Sequence, residues 1–143
     1  MTLRSKRVER LLDLADAAVR RARANAAAAE QAMNSARASA EQSEHLWDDA
    51  AQRFGSGVAS GADLHDQAAH LRSLRQRADA ALQGVATAVH QHDRALREAV
   101  AASRKHRQLE LWRDRIRQAE QDEEHVQEQR TTDEIAARTA RAR

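Results

Sequence analysis

The sequence lacks the residues that interrupt helices or build a thick core. It contains no proline, cysteine or tyrosine, one phenylalanine and four glycines among 143 residues. Without cysteine, neither a disulfide framework nor a thiolate metal site can form. Without proline, the strongest helix breaker is missing from the whole length. Alanine supplies 33 residues, so the hydrophobic content of 41% overstates the apolar volume available for a globular core.

Long apolar runs and a large charge of one sign are also missing. No apolar stretch approaches the roughly 20 residues needed to cross a bilayer. The basic segment Met1 to Arg10 leads into charged residues, unlike a secretory signal. Basic and acidic residues number 24 and 22, a net charge of +2, whereas disordered chains of low hydrophobicity normally carry a large net charge. We predict a folded cytoplasmic protein without membrane insertion.

Turn residues cluster at one place only. Three of the four glycines, Gly55, Gly57 and Gly61, lie within residues 54–62, together with two serines. Either Ser60 or Asp63 can cap the helix that follows. We predict an all-α fold in which two long helices form an antiparallel coiled-coil hairpin, as a single domain over 1–143. Helix 1 covers about 3–53, the hinge 54–62, and a longer helix 2 about 63–140.

Apolar residues recur at steps of three and four on both sides of the hinge, which is typical of coiled coils. Before the hinge the predicted seam is Val8, Leu11, Ala15, Ala18, Ala22, Ala26, Ala29, Met33, Ala36, Ala40, Ser43, Trp47, Ala50 and Phe54, with one irregularity near Ala22. After it the seam is Leu64, Ala68, Leu71, Leu74, Ala78, Leu82, Val85, Val89, His92, Leu96, Ala99, Ala102, His106, Leu109, Trp112, Ile116 and Ala119. We therefore expect Leu96→Asp to destabilise the fold far more than Gln91→Asp.

The two arms have unequal lengths. Folding back at Gly57 places Leu3 opposite roughly residue 113, so everything from Asp114 onward lacks an intramolecular partner. Thr131, Thr132, Asp133 and Glu134 resemble a capping box, which suggests a break or restart of the helix.

No catalytic constellation is visible. Among the seven histidines, His65 and His70 are five residues apart and His90 and His92 two apart, and neither spacing puts two imidazoles on one helical face. There is no glycine-rich phosphate loop, nucleophile elbow or dinucleotide fingerprint. We predict a protein that is not an enzyme and that holds no metal and no cofactor.

Both ends of the chain are basic. The first ten residues carry Arg4, Lys6, Arg7 and Arg10 against one acid, and Arg138, Arg141 and Arg143 follow the last acid. These residues form either a solvated face or the contact for a protein partner with an acidic lining, because arginine forks bind carboxylates. Nucleic acid is a weaker candidate, since acids are interleaved through the chain and no stacking aromatics accompany the arginines.

The organisation resembles the FliJ/YscO family, the stalk proteins of flagellar and injectisome type III export. The resemblance covers essentially the whole length: a basic start with Arg10, Leu11, Leu12, Asp13, Leu14 and Ala15, a helix of about 50 residues, a Gly/Ser hinge and a longer polar helix. The closest local likeness is the end, where Arg130, Thr131, Thr132, Asp133, Glu134, Ile135, Ala136, Ala137 and Arg138 follow the family's pattern.

The resemblance implies a function and a set of partners. The paired chain ends insert into the hexameric export ATPase through Arg4, Lys6, Arg7, Arg10, Arg138 and Arg141, in the cytoplasm at the inner membrane. Early helix 2 binds the export gate membrane protein through Leu71, Leu74 and Ala78, where relatives often carry an aromatic residue. Secretion chaperones are further candidate partners. The alternatives are a secretion chaperone or adaptor that holds export substrates, and an unrelated coiled-coil scaffold that forms a homodimer.

Overall fold

The computed structural model describes residues 2–142, which form two α-helices and no strand. Helix α1 spans Leu3–Gln52 and helix α2 spans Gly61–Arg141, 50 and 81 residues long. The predicted all-α hairpin with a longer second helix is confirmed. Contacts divide the chain into a terminal unit, Met1–Arg21 with Val100–Arg143, and a turn unit, Ala22–Ala99.

The turn between the helices depends on two glycines in the left-handed region. Gly55 has a φ of 85° and Gly57 a φ of 69°, values that residues with a Cβ rarely adopt. The Gln67 amide fixes this turn from α2. Its oxygen accepts the Gly55 N–H at 2.9 Å, and its nitrogen donates to the Ser56 carbonyl at 3.0 Å. The first two turns of α2 therefore lie beside the turn itself.

Ser60 caps the beginning of α2. Its hydroxyl oxygen accepts the Asp63 N–H at 3.2 Å, and the Asp63 carboxylate accepts the Ala59 N–H and the Ser60 hydroxyl, each at 3.1 Å. This reciprocal arrangement satisfies donors at the helix start that have no intrahelical partner. Asp63 also places a negative charge in the first turn, where the helix dipole favours it.

In the turn unit, α1 and α2 pack along a regular heptad seam of small side chains. The face of α1 consists of Ala22, Ala26, Ala29, Met33, Ala36, Ala40, Ser43, Trp47 and Ala50, all buried or half-buried. The face of α2 consists of Gln67, Leu71, Leu74, Ala78, Ala81, Val85, Ala88, His92, Ala95 and Ala99, also buried or half-buried. Ala78 is only 1% exposed, and the Arg75 guanidinium lies 5.0 Å from the centre of the Trp47 ring.

In the terminal unit the same spacing continues with larger side chains on α1. Its seam residues are Ser5, Val8, Leu12, Ala15 and Val19 on α1, and Ala102, His106, Leu109, Arg113, Ile116 and Glu120 on α2. Val8 is 1% exposed and Ser5 3%. Polar contacts connect the two helices beside this core. Arg117 Nη2 lies 2.7 Å from Glu9 Oε1, and the Thr2 hydroxyl donates to the Glu120 carboxylate.

Several predicted seam residues are displaced by one position. On α1, Leu12 and Val19 are buried, whereas Leu11 is 42% exposed and Ala18 is also exposed. On α2, the seam holds Ala81, Ala88, Ala95, Arg113 and Glu120 where we expected Leu82, Val89, Leu96, Trp112 and Ala119. The steps of three and four are regular in the structure because Leu12 and Val19 hold the seam positions of α1, so the predicted irregularity near Ala22 is absent. On α2, the alanine of each pair 81/82, 88/89 and 95/96 enters the seam and the larger neighbour lies at the edge, which allows the helices to approach closely.

The pairing of the helices also differs from the expectation. Leu3 was expected opposite residue 113, but the contacts of Thr2 with Glu120 and of Glu9 with Arg117 extend the pairing to Glu120. The expectation that the chain folds back at Gly57 is wrong. Residues 53–60 form a wider turn, and the side chain of Gln67 closes it through hydrogen bonds. The part of α2 without an intramolecular partner therefore begins after Glu120 rather than at Asp114.

The predicted break near Thr131 is wrong, because α2 is continuous to Arg141. The hydroxyls of Thr131 and Thr132 donate to the carbonyls four residues before them, at 2.6 and 2.8 Å, instead of capping a new helix. Hydroxyls in a helix interior commonly make this bond. Phe54 belongs to the turn and is 45% exposed, so it is not part of the seam.

Burial along α2 predicts a sharp difference between two nearby alanines. Ala78→Asp puts a carboxylate at a position that is 1% exposed, whereas Ala80 is exposed. We expect Ala78→Asp to lower the free energy of unfolding by about 2 kcal/mol or more, and Ala80→Asp by about 0.5 kcal/mol or less. Urea unfolding followed by circular dichroism measures both. Equal losses of unfolding free energy in the two variants would contradict the assignment of Ala78 to the seam. Leu96, 44% exposed, is not a suitable seam probe.

The glycines predict effects of opposite sign. Gly55→Ala and Gly57→Ala force a Cβ into left-handed backbone, and we expect each to destabilise by about 1 kcal/mol. Gly84→Ala, inside α2 with open space around its Cα, should stabilise by up to about 1 kcal/mol because alanine is the better helix former. Thermal unfolding of the three variants provides the comparison. A destabilising Gly84→Ala would show that α2 is not helical there.

Candidate protein interface

The basic residues of α1 lie on its outward side in the terminal unit. Arg4, Lys6, Arg7 and Arg10 are all exposed, whereas Val8 between them faces α2. The heptad spacing produces this division, because seam positions occupy one stripe of the helix and leave the others to solvent. The structure thus presents all four predicted cations to a partner.

A small cavity joins two of these arginines to α2. Arg4, Arg7, Trp112 and Ile116 line a volume of about 350 Å³. Trp112 is 48% exposed, so an aromatic face is available beside two guanidinium groups. Sequence reasoning missed Trp112 as a site residue because it was placed in the seam, which Arg113 occupies instead. The signal that could have placed Trp112 outside the seam is the alternation of steps. After the step of three from His106 to Leu109, the next seam residue is four positions on, at Arg113.

The four cations at the start of α1 form no ion pair with another described residue. Over residues 2–142, no carboxylate lies within salt-bridge distance of Arg4, Lys6, Arg7 or Arg10. The adjacent carboxylate of Glu9 is bound to Arg117 at 2.7 Å instead. The hydrogen bond that Arg113 donates to Asp114 raises the pKa of Arg113, with smaller contributions from the charges of Asp114, Glu9 and Glu110. The four cations at the start of α1 are therefore exposed and not engaged in an ion pair over residues 2–142.

The end of α2 carries a second basic cluster at a distance from the first. Arg138 lies 4.0 Å from Glu134, Arg141 is exposed, and Arg143 lies outside the described residues. Arg138 follows Glu120 by eighteen residues of helix, which is about 27 Å along the axis. The structure therefore separates Arg138 and Arg141 from the cations of α1. The two clusters form separate surfaces, one at the start of α1 and one at the end of α2, rather than one patch.

An acidic band separates the two basic clusters. It consists of Glu120, Asp122, Glu123, Glu124 and Glu128, and every residue from 121 to 142 is exposed. Among these residues Val126 and Ile135, 44% and 61% exposed, are the large apolar side chains. This segment therefore offers a partner alternating charge and little apolar surface.

The residues predicted to bind the export gate divide by burial. Leu74 is 8% exposed and Ala78 1%, and both belong to the heptad seam. Leu71 is half-buried and lines a cavity of about 530 Å³ at the turn, together with Leu46, Phe54 and His70. A partner bound to the closed helix pair can contact Leu71 and the cavity edge. Leu74 also lines this cavity, whereas Ala78 is not one of its lining residues.

Within residues 2–142, no three histidine, aspartate or glutamate side chains are arranged so that they could hold a metal ion. Neither helix in that range holds an apolar stretch with the length and composition that a bilayer span requires. The nearest approach of a histidine to a carboxylate is that of His106 to Glu110, at 4.0 Å.

Comparison with known proteins agrees with this architecture. The family model FliJ, described as flagellar FliJ protein, matches residues 5–143. No curated protein and no solved structure matches the chain. The family match includes α1 from Ser5 onward, the turn and the whole of α2. Because it covers nearly the whole sequence, the chain belongs to the FliJ family of flagellar export proteins.

Proposed function

We propose that this protein is the non-enzymatic central stalk of a type III export ATPase, which it enters with its paired chain ends and couples to the export gate. The observation that carries the proposal is the cavity of Arg4, Arg7, Trp112 and Ile116, in which unneutralised cations flank an exposed aromatic ring. Membership of a flagellar export family supports the setting.

The chemistry of this cavity specifies the contact on the ATPase. Two arginine forks bind carboxylates, and the indole and Ile116 supply an apolar floor. Tryptophan and arginine are also the residue types that contribute most at protein interfaces when they are enclosed. The matching surface on the hexamer is an acidic side chain next to an aliphatic one, at the entrance of the central pore.

The unpartnered end of α2 extends this contact into the pore. A pore lined only by negative charges would repel the acidic band from Glu120 to Glu128. The same lining would attract Arg138 and Arg141. The ring should therefore carry two acidic levels about 27 Å apart, with a basic level between them. A two-helix end can touch only part of a sixfold ring at one time, so its binding makes the ATPase subunits inequivalent.

The contact with the export gate is assigned to the turn unit. Leu71 and the cavity edge at Leu46, Phe54 and His70 provide the accessible apolar surface there. Leu74 and Ala78 contribute through the packing that holds α2 in place. The two partners would thus be held by different units of one chain.

Charge reversal at the start of α1 tests the ATPase contact. Replacing Arg4, Lys6, Arg7 and Arg10 with glutamate should weaken association with the hexamer about tenfold or more and reduce its stimulated ATP hydrolysis. The loss should be largest at about 50 mM salt, where exposed charges are least screened. The matched control reverses Arg23, Arg72, Arg77 and Arg97, exposed cations of the turn unit.

A neutral pair of variants separates specific docking from general attraction. Trp112→Ala should weaken hexamer binding, whereas Leu111→Ala, 46% exposed and outside the cavity, should leave it within about twofold. Circular dichroism confirms that both remain helical. Undiminished binding of the reversed α1 variant, or equal losses in the control, would require the stalk proposal to be withdrawn.

A single substitution at Leu71, a half-buried seam residue at the edge of the turn cavity, tests the gate contact. Leu71→Asp should weaken binding to the export gate protein about tenfold while hexamer binding is retained. The control is Leu64→Asp, which makes the same change one heptad earlier at a position that is 42% exposed. Binding of both variants to both partners can be followed by surface plasmon resonance. If Leu71→Asp loses both partners equally, the substitution has disrupted the fold rather than a contact.

A further inference from the structure

A groove in the turn unit combines an acidic edge with an apolar floor. It encloses about 380 Å³, with Glu41, Glu44 and Asp48 of α1 on one side and Leu82 and Val85 of α2 on the other. The three acids are spaced three and four residues apart, so they share one face of α1. Leu82 is 45% exposed because the seam position beside it is held by Ala81.

The apolar floor continues along α2 beyond the cavity. Leu82, Ala86, Val89 and Leu96 follow one another at steps of four, three and seven, the spacing of a second helical stripe beside the seam. Leu96 is 44% exposed, and the stripe covers about 21 Å of helix. Asp93 occupies the intervening stripe position and adds a further negative charge. Spacing and length suit the face of another helix over about two heptads.

The carboxylates at the groove have no ion-pair partner among the described residues, unlike several other acids of the two helices. Glu9, Asp79 and Glu98 each have an arginine within 3.3 Å. For Glu41, Glu44 and Asp48, no cation of residues 2–142 lies within salt-bridge distance. Arg37 and His45 also line the groove, so its single permanent cation faces three acids. Excess negative charge beside an apolar stripe selects against an acidic occupant.

We propose that this groove binds an amphipathic helix of another protein, with an apolar stripe at steps of three and four and a lysine- or arginine-rich edge. The apolar stripe of the incoming helix covers Leu82, Val85 and Val89, and its basic edge reaches Glu41, Glu44 and Asp48. The complex is a local three-helix bundle in which the partner supplies the third helix. This binding site is independent of the stalk function, since it uses none of the residues assigned to the ATPase or the gate.

The test uses a synthetic probe in place of the natural partner. The probe is a fluorescein-labelled peptide of about three heptads, with leucine at the a and d positions and lysine at e and g. Fluorescence anisotropy with the full chain should show saturable binding at about 50 mM salt. A second peptide with glutamate at e and g should bind at least about tenfold more weakly.

Two variants locate the site. Glu41→Lys with Glu44→Lys, and separately Leu82→Ser, should each reduce affinity for the lysine peptide by about tenfold or more. Asp66→Lys with Glu98→Lys makes the same change of charge at exposed positions outside the groove, and should change affinity by no more than about twofold. Circular dichroism confirms unchanged helicity.

Three results would overturn the proposal. Equal affinity for the two peptides would show that charge does not select the occupant. Equal losses in the groove and control variants would place the binding elsewhere. A wild-type dimer in sedimentation equilibrium that Leu82→Ser disperses would assign the groove to a second copy of this chain.

Discussion

The close approach of two helices along a stripe of small residues is the constraint on which the other features depend. In the turn unit most of the seam is alanine, so each layer buries little apolar area, and stability must come from many such layers in regular succession. Every layer requires the step of three and four to be kept on both helices. Where an alanine and a leucine are neighbours on α2, at 81/82 and 95/96, the alanine enters the seam and the leucine lies at the edge, which keeps the axes close.

This displacement of large residues to the edge produces the candidate binding surfaces. Leu82, Leu96 and Trp112 are each about half exposed because Ala81, Ala95 and Arg113 hold the adjacent seam positions. A helix pair with a narrow apolar core can thus stay folded while presenting apolar side chains to partners. The charges around each exposed residue then differ. Arginines surround Trp112, and carboxylates surround Leu82.

The sequence predicted part of the candidate interface correctly as exposed surface. The cations Arg4, Lys6, Arg7 and Arg10 could be assigned to the outside because their neighbours Ser5 and Val8 fall on the seam spacing. Trp112 could not be recognised in the same way, since an aromatic residue usually indicates burial. The gate contacts of Leu74 and Ala78 stay a prediction, and the low exposure of both side chains could be known only from the packing of the two helices.

The sequence by itself determined the two helices, the place of the turn and the family, because missing proline, clustered glycine and apolar periodicity are local signals. Tertiary structure decided which of two adjacent residues enters the seam and which residues of the helices face one another. Leu82 and Ala81 fit the periodicity almost equally, and only the space between the helices selects alanine. The pairing of Thr2 with Glu120 likewise depends on the width of a turn that Gln67 closes from the next helix, a contact between residues far apart in the pattern.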